Sequence, residues 1–103
     1  MRHRALLTLA GTDPCGGAGV PVDLQVFRDL GYHGTSVITA VLWQDTVGVR
    51  GWRALDPAEV TAQLDLIVAD VPPAAVKIGV VPMASSLEAI ASRLDALGAP
   101  AVL

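Results

Sequence analysis

The stretch Gly11-Thr12-Asp13-Pro14-Cys15-Gly16-Gly17-Ala18-Gly19 constrains this chain more than any other. Before it, Ala5-Leu6-Leu7-Thr8-Leu9-Ala10 is a short apolar run, suited to a strand buried on both faces. After it, Val22, Val26, Phe27 and Leu30 recur at helical spacing up to a stop at Gly31. Strand, glycine loop and helix together build a ligand site. Glycine lets the backbone approach a ligand closely, and the helix start offers free N–H groups.

Two familiar phosphate loops fail here. A Walker A loop requires Gly-Lys-Ser/Thr at its end, but Gly16 is followed by Gly17 and Ala18. A Rossmann turn requires G-x-G-x-x-G, and Gly17-Ala18-Gly19 runs on into Val20-Pro21-Val22. Asp23 reads as a first-turn acid that already answers the positive end of the helix. A carboxylate there favours hydroxyl or amino groups over an anion.

The remaining segments alternate. Thr35-Ser36-Val37-Ile38-Thr39-Ala40-Val41-Leu42-Trp43 is β-branched and apolar on both faces, as expected of a central parallel strand ending at Gln44-Asp45-Thr46. Val47 to Arg53 is broken by glycine and reads as a short edge strand or flap. Asp56-Pro57-Ala58-Glu59 opens a helix whose apolar face is Val60, Leu64, Ile67, Val68 and Val71, stopped by Pro72-Pro73. Ala74 to Val81 is the next strand. Ser85-Ser86-Leu87-Glu88 predicts a second capping box, ahead of Leu87, Ile90, Ala91, Leu94 and Leu97 on one face, with Gly98 as C-cap. Pro100-Ala101-Val102-Leu103 begins a further strand. The order βα, β(β)α, βα, β predicts an α/β fold, a mostly parallel sheet with flanking helices and right-handed crossovers. Residues 1–103 read as one partial domain that ends inside a strand.

Charge and hydropathy narrow the partners. The net charge is −3 and the seven Lys and Arg residues are scattered, which argues against nucleic acid and anionic membrane. Hydrophobic residues make up 52% and mean hydropathy is +0.54, yet no run reaches the ~20 apolar residues of a membrane span. Met1-Arg2-His3-Arg4 leads into too short an apolar run for a signal peptide, so it reads as the approach to a first strand. Cys15 is the single cysteine, so no internal disulfide forms, which suits a reducing cytoplasm. His3 and His33 lack metal-ligand spacing, and no metal site is expected.

In a parallel sheet the carboxyl ends of the strands share one rim, so Gly11-Thr12-Asp13, Gln44-Asp45 and Gly79-Val80 should converge there. The Gln44 amide offers one acceptor and two donors, enough to read a heteroaromatic ring edge, or it simply closes its strand in solvent. Asp13 either turns the loop or faces a ligand. Cys15 is a reactive thiol or a passive loop residue. Trp43 and Trp52 either stack on a ring or pack the flap.

The same residues carry a resemblance. Ala10 through Gly19 followed by Asp23-Leu24, then Gly34-Thr35-Ser36-Val37-Ile38-Thr39-Ala40, Gln44-Asp45-Thr46-Val47-Gly48-Val49 and Val76-Lys77-Ile78-Gly79, resemble in order the hydroxymethylpyrimidine/phosphomethylpyrimidine kinases of thiamine biosynthesis, within the ribokinase-like superfamily. The resemblance implies phosphoryl transfer from ATP, with Mg²⁺, to the hydroxymethyl group of a pyrimidine and then to its monophosphate. By position, Gln44 would bond the ring edge, Gly11 and Leu42 would line the pocket, and Asp23 would sit near polar substituents. Val80 would stand where methionine is usual. Cys15, Pro21-Val22 and Asp45 also depart from the usual serine, glutamine-alanine and asparagine. It further implies that the catalytic residues, the nucleotide site and a Gly-Thr-Gly-Cys anion hole belong to a C-terminal half that these residues do not include. Residues 1–103 then correspond to the substrate-binding N-terminal half of a cytoplasmic enzyme that is a homo-oligomer when full length. A non-catalytic pyrimidine-binding module and a pyridoxal kinase are the alternatives.

Overall fold

A computed structural model describes residues 4–103; Met1, Arg2 and His3, and with them the readings placed on the chain start and on His3, lie outside the described residues. The elements run β1 (Ala5–Gly11), α1 (Gly19–Asp29), β2 (His33–Gln44), β3 (Val49–Ala54), α2 (Pro57–Asp70), β4 (Ala75–Ile78), α3 (Ala84–Leu97) and β5 (Ala101–Val102). They form one sheet in the order β3-β2-β1-β4-β5. β1 pairs in parallel with both β2 and β4, β4 pairs in parallel with β5, and only β3 runs antiparallel. The expected α/β order is therefore present, with the glycine-broken segment as an antiparallel edge strand. β2 lies between β3 and β1, and the centre of the sheet is β1.

Strand alternation divides the sheet into two faces. Leu7, Leu9, Val37, Val76 and Ile78 point to one side, where Val60 and Leu64 of α2 and Ile90 and Leu94 of α3 close a core. Thr8, Ala10, Gly34 and Lys77 belong to the other side, under α1. A gap in the ladder is filled from a helix. β3 pairs with β2 only from Ala40 onward, and the Gln63 amide of α2 accepts from Ile38 N–H and donates to Ile38 C=O, both at 2.9 Å. It takes the place of a neighbouring strand for backbone groups that cannot be left unpaired.

The helix starts differ in how far they follow local sequence. The α2 capping box forms as expected, Asp56 and Glu59 each reaching the other's backbone, and Gly98 closes α3 in the left-handed conformation at φ 74°. The box expected at Ser85 does not form. α3 begins at Ala84 with Met83 as N-cap, because the phase that buries Ile90 and Leu94 also turns Ser86 inward. The Ser86 hydroxyl is buried and has no hydrogen-bond partner among the described residues. Leu87 and Ala91 consequently face solvent.

α1 also sits in a different phase. It begins at Gly19, so Asp23 falls beyond the first turn. Val20, Asp23 and Phe27 point inward, while Val26 and Leu30 are 46% and 66% exposed. Two contacts set this phase. Asp23 meets Thr8 and Lys77 on the sheet, and a side chain on Gly34 would begin 2.9 Å from the Leu24 Cδ2 atom.

Candidate functional site

The carboxyl ends of β1, β2 and β4 meet on one rim, as the parallel register requires. Gly11, Thr12, Ala18, Gly19, Gln44 and Lys77, with the apolar Leu42 and Val80, border a cavity of about 330 Å³ there. A wider apolar cleft of about 540 Å³ adjoins it, walled by Leu42, Val49, Trp52 and Val80. Four of the five residues expected to bind a ring, Gly11, Leu42, Gln44 and Val80, thus line the same cavity. Asp23 lies below it rather than in its wall.

The glycine loop is shaped by its own aspartate. The Asp13 carboxylate accepts the backbone N–H of Cys15 at 2.9 Å and of Gly17 at 2.8 Å. The Gln44 amide beside it, with the N–H groups of Cys15, Gly17 and Ala18, holds its carboxyl below the ordinary 3.8 against the opposing effect of burial. Amides that a phosphate would use in a phosphate loop are here already taken, so Asp13 is the turn-former of the two roles open to it. Gly19 is required where it stands: its φ is +61° and a Cβ would lie 2.5 Å from the Gly11 carbonyl. The helix start is thereby pressed against the end of β1.

Hydroxyls fasten the walls. Thr12 N–H donates to Ala40 C=O at 3.1 Å, and the Thr12 hydroxyl accepts Leu42 N–H at 2.9 Å. This ties the loop to β2 and sets Leu42 over Gly11, whose missing side chain leaves room for the Leu42 Cδ1 atom. The Thr39 hydroxyl donates to the Val80 carbonyl and fixes the far wall.

Beneath the cavity Asp23 receives three donors. Lys77 Nζ stands 2.7 and 2.8 Å from its two oxygens, and the Thr8 hydroxyl donates to the second at 2.6 Å. The Asp23 side chain is 11% exposed, whereas that of Lys77 is 42% exposed. Among the described residues lining the cavity, Lys77 alone carries a formal charge. A carboxylate so engaged is not free to bond a ligand, and the lysine is the group that faces the open space.

The β2–β3 arm overhangs this rim. Asp45 accepts the N–H groups of Val47 and Gly48 and pairs with Arg50 at 3.1 Å. Those amides, then the guanidinium, hold its carboxyl below the ordinary value. Trp43 lies across Gly51 within the arm and is 51% exposed, and Trp52 faces the apolar cleft. Cys15 is exposed with its Sγ 3.6 Å from the Gln44 carbonyl. Among the described residues, no three of His, Cys, Asp and Glu come together to hold a metal ion.

Sequence reasoning missed Lys77 as a site residue; it placed Thr12 on the rim, but not as the tie between the loop and β2. The signal for Lys77 was a single cation inside an otherwise apolar strand, which needs a buried partner to be there at all. Asp23, buried on α1 and 54 residues away in the chain, is that partner.

A chain with this sheet order and rim has close counterparts among solved structures. A crystal structure of phosphomethylpyrimidine kinase from Clostridium difficile 630 superposes with a TM-score of 0.87 at 38% identity, over 93% of this chain and 42% of that one. The pyridoxal kinase from Staphylococcus aureus in complex with pyridoxal superposes at 0.85 with 25% identity, over 96% and 38%. The fold is that of the ribokinase-like small-molecule kinases. The family model described as phosphomethylpyrimidine kinase matches residues 13–103, and the chain belongs to that family. The hydroxymethylpyrimidine/phosphomethylpyrimidine kinases of Salmonella typhimurium and Escherichia coli are 48% and 46% identical to it over 95 residues. That is 92% of this chain but 36% of each relative, so the chain spans about a third of their length.

Proposed function

We propose that these residues supply the ring-binding half of a kinase that transfers a phosphoryl group from ATP to the hydroxymethyl group of 4-amino-5-hydroxymethyl-2-methylpyrimidine, and then to its monophosphate, in thiamine biosynthesis. The observation that carries the reading is the cavity of about 330 Å³ lined by Gly11, Leu42, Gln44, Val80 and Lys77. Flat glycine and apolar walls with a few aimed polar groups suit a small heteroaromatic ring. Gln44 reads its edge, Asp13 and Thr12 hold the loop and Leu42 in place, and Asp23 acts through Lys77. ATP and Mg²⁺ are the co-substrate and metal of the proposed reaction. The described residues offer no cluster of His, Cys, Asp or Glu for the metal. Phosphoryl transfer rests on positioning and charge stabilisation, and this half contributes positioning. The enzyme works in the cytoplasm as a homo-oligomer; the exposed apolar arm residues Trp43, Val47 and Val49 offer surface for self-association.

A pyridoxal kinase is the second reading, favoured by the likeness to a kinase solved with pyridoxal. A coupled ADP-release assay on the whole protein that carries this chain separates the two. The expected result is turnover with the pyrimidine well above that with pyridoxal; the reverse preference selects the second reading. Residues 1–103 alone should give no detectable turnover, since even one oxyanion-type donor is worth about 10²–10³ in rate. Steady turnover by residues 1–103, abolished by Gln44→Ala, would overturn that division of labour.

A further inference from the structure

Resting on the pyrimidine reading, we infer that Lys77 is a second ring-binding residue, donating a hydrogen bond to the ring nitrogen on the side opposite Gln44. An ammonium has three N–H donors. The Asp23 carboxylate, at 2.7 and 2.8 Å, engages at most two of them. The tetrahedral geometry of nitrogen turns the remaining one away from Asp23, and the open side of Lys77 is the cavity it lines. The Thr8 hydroxyl fixes the Asp23 carboxylate, whose two contacts hold the Lys77 side chain, so this donor is in place before any ligand arrives.

Position decides which ligand atom it meets. Lys77 is paired with Thr8 across the β1–β4 ladder, while Gln44 ends β2 on the other side of β1. A ring lying over Gly11 therefore has Gln44 at one edge and Lys77 at the opposite one. In a 4-aminopyrimidine the amino group and N3 form a donor–acceptor edge that complements one amide. N1 lies across the ring from the amino-bearing carbon and presents a lone pair. A cation-borne donor is the complement to that lone pair. Asp23 and Thr8 are then positioning residues that fix the donor.

The test is a thermodynamic cycle between protein and ligand. The whole protein that carries this chain is titrated calorimetrically with 4-amino-5-hydroxymethyl-2-methylpyrimidine and with its pyridine analogue, in which CH replaces N1. The double substitution Asp23→Asn with Lys77→Met removes the donor without stranding a buried charge. Should it fail to fold, Asp23→Asn with Lys77→Gln takes its place. Wild type is expected to bind the pyridine analogue about 10–100-fold more weakly than the pyrimidine. The folded double variant should bind the pyrimidine about as weakly as wild type binds the analogue, with little further loss for the analogue. A double variant that discriminates the two ligands as wild type does would make Lys77 a structural partner of Asp23 only. Equal wild-type affinity for both ligands would overturn the contact with N1. Wild type that binds neither ligand would instead remove the pyrimidine reading, and this inference with it.

Discussion

The two faces of the sheet are built from alternate residues of the same strands, and they are held together differently. On the α2–α3 face Leu7, Leu9, Val37, Val60, Leu64 and Ile90 are fully buried, and the core they form is held by packing rather than by any charged group. On the α1 face Thr8, Asp23 and Lys77 interlock through short directional bonds beneath an open cavity. The apolar face tolerates any arrangement that fills its volume. The polar one has a single arrangement that leaves no buried charge alone. Stability comes chiefly from the first, and the aim of the cavity's donors comes from the second.

Three substitutions probe that division, in order of size. Leu64→Ala, on the packed face, should lower unfolding free energy by about 2–5 kcal/mol. Denaturant melts paired with ligand titration should find pyrimidine affinity unchanged at temperatures where the protein is folded. A matching loss of affinity would mean that the faces are not separable. On the other face Gln44→Ala should weaken pyrimidine binding by about 1–3 kcal/mol, as expected when polar partners lose their complement. Its melt should shift little, and ATP affinity should hold.

The smallest effect concerns acid. The Asp13 carboxyl is held below its ordinary 3.8 by the Gln44 amide and the loop N–H groups. A depressed folded value means that this carboxylate stabilises the fold above the unfolded value, and that the stabilisation fades as pH falls through the folded one. Asp13→Asn should therefore be less stable than wild type near neutrality, with a gap that closes below about pH 4. Melts across pH 3–7, compared between the two proteins, measure it; a gap independent of pH would assign the loss to loop shape alone.

Much of the apolar face was legible in the sequence because its rules are local and periodic. Val60, Leu64, Ile90 and Leu94 repeat at helical spacing, Asp56 and Glu59 cap at fixed offsets, and Gly98 ends α3 where a left-handed residue is needed. The convergence of Gly11, Gln44 and Val80 on one cavity followed from parallel strand ends alone. What local pattern could not show was the outcome of competition between elements. Val26 and Leu30 follow helical spacing, yet the phase of α1 is decided by Asp23 reaching Thr8 and Lys77, so both face solvent. Ser85 has the chemistry of a cap, but the burial of Ile90 fixes the cap of α3 two residues earlier, at Met83. The lone cation of β4 was legible, but its partner on α1 was not until β4 lay beside β1.

That adjacency has a consequence in time. β1 is the central strand, and one of its two neighbours, β4, lies across α1, β2, β3 and α2 in the chain. Closing so long a loop costs entropy before any contact offsets it, which makes such pairings slow to form. The β1–α1–β2 unit has nearer partners and is expected to assemble ahead of β4. In that interval Asp23 is a carboxylate at a half-made surface, still hydrated and without its cation. The arrival of β4 brings Lys77 to Asp23, so the proposed ring site is complete only once the sheet has closed around the strand the chain made first.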